Sequence, residues 1–251
     1  MIFEFPTHDV TRFCLRLEKL SMQVAALREK KLVHMAIEHQ IELLQLIDRP
    51  DIRTKFVKVL HLSLQRYQDF LKEAHVDQVF LQGLIARIKQ ALHFLQSEAR
   101  AVMQGIHDSA FTSQLMQGFA APARLCEFSH PVLAMIGQYT DIKWVSAWFG
   151  LTAPFQEIGQ LLLEIFRMDI EEYVLMAHGG HCNLELPAQH EVMLLQIETD
   201  ESAFPLISYG RGRVSMHFQQ LANKPHQQLG LPMKRSMEIR VKMSELSKSA
   251  L

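Results

Sequence analysis

From Asp9 to Arg28 the apolar residues Val10, Phe13, Cys14, Leu17, Leu20, Val24 and Leu27 recur at steps of three and four, the period of one helix face turned toward a core. The opposite strip carries Arg12, Arg16, Lys19 and Gln23 at helical steps, so positive charges line up along one side. Such a strip is ordinarily a solvated face. Arg16 lies away from the stripe of Phe13, Leu17, Leu20 and Val24, and is expected to point outward. A second helix is expected from about Leu32 to Ile47, ending near DRPD, where Pro50 either stops it or begins the next. That next helix, through FVKVLHLSLQRYQDFLKEA, buries Phe56, Leu60, Leu64 and Leu71. HVDQVFLQGLIARIKQALHFL reads as a further helix, with Asp77 as N-cap and Val76 and Leu81 placed as a hydrophobic staple. The period weakens from Ser97 to Phe128. It returns after SHP, where Ser129 is placed as an N-cap close to Pro131, and PFQEIGQLLLEIFRMD gives a last strongly apolar helix to about Asp169.

Beyond residue 170 the texture changes. EVMLLQIET, FPLISY, RVSMHF and SMEIRVKM are short runs that alternate or are wholly apolar, divided by DESA, GRG and a polar loop from Gln219 to Arg235. They predict a small antiparallel sheet. The opening MIFEFP also reads as a strand and can join that sheet, bringing both chain ends into one domain. The expected class is therefore α+β, with a mainly helical domain over 1–170 and a β-strand domain over 171–251.

Composition adds exclusions. With 48% hydrophobic and 21% charged residues in a 251-residue chain, wholesale disorder and fibrous architecture are ruled out as expectations. The 26 basic and 27 acidic residues nearly cancel, so no whole-molecule field pulls the chain toward nucleic acid or anionic lipid. MIFEFPTHD lacks the regions of a signal peptide, and no later apolar run spans a bilayer, so the expectation is a cytoplasmic protein without membrane insertion. Cys14, Cys126 and Cys182 are odd in number and far apart, which predicts free thiols, mostly buried.

The densest candidate chemistry is AHGGHCNLEL, where His178, His181 and Cys182 crowd together with His190 downstream. A metal-binding enzyme or sensor would use these residues as ligands, yet there is no C-x-x-C partner, and Gly179-Gly180 supplies positive φ for a turn that leads into a strand. The turn is the expected role. His34, Glu38 and His39 stand as H-x-x-x-E-H, which matches neither zincin order. No G-x-S-x-G elbow or phosphate-cradling loop is present, so no enzyme class gains support and no cofactor is expected. Trp144, Trp148 and Phe149 form either a partner pocket or, as the i, i+4 spacing favours, core.

FEFP, followed about ten residues later by LRLE, resembles the opening of the ZapD family of bacterial cell-division proteins. DRPDIRTKFVKVL, VDQVFLQGLIARIKQ, CEFSHP, PFQEIGQLLLEIFR and FPLISYGRGRVSMHF resemble the family pattern in the same order, so the similarity covers nearly the whole chain. The resemblance implies a homodimer with a helical domain joined to a β domain. It also implies a non-enzymatic role: binding the C-terminal tail of the tubulin-like protein FtsZ and bundling its filaments at the mid-cell division ring. The family's LR-aliphatic-E arginine falls on Arg16, with Arg12 and Lys19 on the same strip. Two further tail-binding positions of the family fall on Ala110 and Ala134, and the family's P-G-G is Pro122-Ala123-Arg124 here. Arg124, His130 or Arg12 are the candidates to supply the displaced charge. The GFYQ-like strand that opens the family's β domain is replaced by HGGHCNLEL.

Overall fold

The computed structural model describes residues 1–73, 75–120, 133, 136, 143–186, 190–200, 203–210, 212–221 and 230–247. Two compact units emerge, Phe13–Leu162 and the pair of stretches Met1–Arg12 and Leu163–Leu251. The class is α+β, with one opening strand, then helices, then the remaining antiparallel strands. No helix among the described residues is long and apolar enough to cross a membrane.

Helix α1 (Asp9–Glu29) buries Phe13, Cys14, Leu17, Leu20 and Val24, as its period requires. Phe13 meets Phe56 of α3 (Pro50–Phe70) edge to face, with centroids 5.3 Å apart. Pro50 opens α3, where its missing N–H costs nothing, after α2 (Val33–Ile47) has ended. Leu60 is fully buried, whereas Leu64 is half-buried. Asp77 caps α4 (Gln78–His93) by accepting from the Phe80 N–H at 2.9 Å.

The described part of the stretch where the period weakened, residues 97–120, is helical, which corrects the irregular patch expected there; 121–128 lie outside the described residues. A π-helical turn, Phe94–Glu98, leads into α5 (Ala99–Asp108), followed by α6 (Ala110–Ala120). A π turn inserts an extra residue, so apolar positions on either side fall out of phase with one 3.6-residue template. Helices α7 (Lys143–Gly150) and α8 (Ala153–Met168) complete the described helices. Gly159 of α8 is where Leu17 approaches, since a Cβ there would lie 2.5 Å from Leu17 Cδ2. The buried Gln40 amide donates to Thr152 Oγ1 at 3.1 Å and to the Phe149 carbonyl at 3.3 Å, tying α2 to the α7–α8 turn.

The strands are β1 (Ile2–Pro6), β2 (Ile170–Ala177), β3 (His181–Glu185), β4 (His190–Glu198), β5 (Ala203–Gly210), β6 (Arg213–Leu221), β7 (Gly230–Pro232) and β8 (Met237–Ser247). They divide into two antiparallel sheets, ordered β1-β4-β8-β2 and β3-β6-β5, with β7 also on β6. Leu195, Ile197, Ile239, Val241 and Met243 of the first sheet share a core with Leu184, Val214, Met216 and Phe218 of the second. The opening strand joins the first sheet, with Phe3 opposite Ile197 and Phe5 opposite Leu195. Its Glu4 accepts from Arg167 Nε and Nη2, both at 2.8 Å, and from Gln196 Nε2 at 2.9 Å. The bidentate Arg167 contact holds the Glu4 carboxyl below its ordinary pKa, against the opposing effect of partial burial.

Two elements went unread in the sequence. β2 carries Tyr173, Leu175 and Ala177 toward the shared core at alternate positions, and β7 lies inside the stretch expected to be loop.

Candidate functional site

Arg12, Arg16 and Lys19 are all exposed on α1, as the helical steps require. Their surroundings differ. Arg12, at the end of the first stretch of the β unit, reaches back three residues to Asp9 Oδ1 at 3.0 Å. Arg28 lies over the Phe149 ring, 4.7 Å from its centroid. Arg16 and Lys19, in the helical unit, have no ion-pair partner among the described residues. Arg53 of α3 is likewise exposed, and its side chain lines a small cavity with Phe13 and Phe56. Sequence reading passed over it, because the charges of DRPDIRTK include Asp48 and Asp51 and give no basic strip. Asp51 draws Lys55 to 2.9 Å and Arg49 to 3.2 Å, which leaves Arg53 as the cation of that turn without a carboxylate among the described residues.

A groove of about 700 Å³ opens beside the π turn, with Phe94, Ile158 and Leu161 among its apolar lining. Arg87, Glu98 and Glu157 also line it, so cations and carboxylates oppose each other there. Such a rim discriminates poorly for an acidic ligand.

The candidate pocket residues Arg124 and His130 lie outside the described residues, as do Ser129, Ala134 and Cys126. Ala110 begins α6 and is exposed, so that position offers surface without charge. Of the aromatic trio, Trp148 and Phe149 are buried, with Trp148 Nε1 donating to Thr112 Oγ1 at 2.9 Å. Trp144 is 48% exposed and meets Phe111 edge to face, so the cluster is core with one open ring.

The HGGHC stretch is a tight hairpin between β2 and β3. His178 and His181 exchange backbone hydrogen bonds of 3.0 and 3.1 Å across Gly179 (φ +59°) and Gly180 (φ +76°). Paired positive φ values match the twist of the flanking strands. Gly180 also lies against Met233, whose carbonyl oxygen would be 2.5 Å from a Cβ. The strand period then separates the would-be ligands. Cys182 turns into the shared core, and burial raises its thiol pKa to about 11. His181 faces the other way and stacks on His217 across the sheet at 4.3 Å. Cys14 is buried too, and desolvation raises its pKa. His190 only begins β4. Among the described residues no three His, Cys, Asp or Glu side chains are grouped to hold a metal ion, so the cluster His178, His181, Cys182 and His190 gains no support as a metal site.

With Arg16 and Lys19 of α1 lacking an ion-pair partner among the described residues and the histidine-rich turn spent on backbone geometry, the arrangement suits binding. A family model, ZapD, described as a cell division protein, matches residues 15–217. The chain belongs to the ZapD family. Cell division protein ZapD of Coxiella burnetii is 26% identical over 224 residues, covering 86% of this chain and 87% of its own. The ZapD of Shewanella oneidensis is 25% identical over 233 residues, covering 90% and 93% respectively. That of an Enterobacter species is 24% identical over 229 residues, covering 88% and 91%. The match reaches into both units, and family membership supports a role in cell division.

Proposed function

We propose that this ZapD-family chain binds the C-terminal tail of FtsZ and crosslinks FtsZ filaments at the mid-cell division ring, acting in the cytoplasm by binding and not by catalysis. The observation that carries the reading is the outward side of α1, where Arg16 and Lys19 stand exposed and unpaired among the described residues. A disordered tail with acidic and apolar residues orders on such a surface and supplies the missing carboxylates. One contact of this kind is weak. A two-fold dimer presents two of them, so it bridges filaments that each display many tails. The dimer forms through the β unit, where β1 and β2 end one sheet and would otherwise leave strand edges open to pairing. Arg12, Arg124 and His130 are secondary contacts for the tail.

Co-sedimentation with assembled FtsZ tests the reading. The protein pellets with FtsZ at low salt and is released as salt rises, because exposed ion pairs are screened over about 8 to 10 Å near physiological ionic strength. A protein that stays in the supernatant at low salt overturns it.

A further inference from the structure

The outward side of α1 does not end at Lys19. It continues through Met22 and Ala26, at the same steps of three and four, and both are exposed. Met22 is 67% exposed. At 100° per residue it lies about 180° around the helix from Phe13, so the packing of α1 on its neighbours gives it no part. Scattered exposed apolar residues are normal on any surface. This one adjoins Lys19 at i, i+3, and the cations there lack partners among the described residues, whereas Arg12 has Asp9 and Arg28 has Phe149.

We infer that the ligand of α1 docks lengthwise, with carboxylates over Arg16 and Lys19 and an apolar side chain over Met22 and Ala26. This rests on the tail-binding reading above and gives that surface a direction: acidic end toward the start of α1, apolar end toward its finish. Charge complementarity selects an acidic segment over a basic one. The unbranched, polarizable thioether of Met22 then adapts to the apolar part and sheds water with it. From Arg16 to Met22 is six residues, about 9 Å along a helix axis, so the acidic and apolar groups of the ligand are separated by about that distance.

The test uses the full chain and a labelled synthetic peptide of the FtsZ C-terminal tail, followed by fluorescence anisotropy across a salt series. Met22→Gln, which keeps length and charge, raises Kd about three- to tenfold while leaving the salt slope unchanged. Arg16→Gln flattens the salt slope. Replacing the peptide's apolar residues singly by Ala identifies one whose effect disappears in the Met22→Gln background. If Met22→Gln binds as tightly as the parent while Arg16→Gln weakens binding, the apolar half of the path is wrong and tail binding stands. If the parent itself does not bind the peptide at low salt, both fall. Met22 is remote from the core, so an unchanged circular dichroism spectrum accompanies the expected result.

Discussion

Where β2 turns into β3, two histidines and a cysteine fall within five residues, whereas along the outward side of α1 three cations are spread over eight. The crowded stretch looks richer in chemistry, but its side chains are dispersed by the strand period and its backbone is committed to a turn. The sparse one keeps Arg16 and Lys19 on one side of a helix with no carboxylate of their own among the described residues. Proximity in sequence brings ligands together only when the local period brings them to one face. Availability matters as much as residue type, since a cation already paired has less to gain from a partner.

The largest expected effect lies in the hairpin. Gly180→Ala should destabilise the protein by about 3 kcal/mol in urea titration, because positive φ and the Met233 carbonyl both oppose a Cβ. Gly179→Ala, with nothing within 4 Å of its Cβ position, should cost about 1 kcal/mol. Equal costs would show that the close approach to Met233 plays no part.

On α1 the expected change is in binding. Arg16→Glu should spare the fold to within about 0.5 kcal/mol and cost on the order of 1 to 3 kcal/mol per site in tail affinity. Under the proposed two-site crosslinking, bundling should fall more steeply than peptide affinity, because both sites weaken together. A variant that kept the parent's fold and mass and bound the peptide like the parent would strike Arg16 from the site.

Arg167 supplies the contrast with Arg16, as an arginine fully engaged. Glu4→Gln should cost about 1.5 kcal/mol at neutral pH, since the bidentate contact loses its charge. The Glu4 pKa is lowered on folding, so its contribution is present above the unfolded value, about 4.3, and is lost as pH falls through the lower folded value. Chemical denaturation across that range should therefore give a shallower pH dependence for Glu4→Gln than for the parent. The smallest effect belongs to Arg12→Ala. Its pair with Asp9 is exposed and local, so about 0.3 kcal/mol of stability should be lost, with less loss of tail affinity than at Arg16.

Much of the architecture was legible because it is written in local periods. The Phe13–Val24 stripe of α1, the Asp77 cap and the Gly179-Gly180 turn each depend on residues within one or two turns of chain. Helices α5 and α6 were hidden because the π turn at Phe94–Glu98 breaks the phase on which the reading depended. The Glu4–Arg167 pair, 163 residues apart in sequence, leaves no local trace. The outward cations were legible by position; their lack of partners among the described residues was not, since that depends on where every nearby carboxylate folds. Met22 had a signal that was available and unused, one step of three beyond Lys19 on the same strip.

The strand order of the first sheet also has a meaning for how the protein is made. β1 pairs with β4, and β8, the last of the described strands, sits between β4 and β2. On the ribosome, residues 13–162 can gather into their helical unit while the strands are still being added. β1 must wait, unpaired, for a partner nearly two hundred residues downstream, and β4 and β2 have no neighbour to bridge them until β8 emerges. Nascent chains stalled before β8 should therefore resist protease in the helical unit while remaining open to cleavage in the strands.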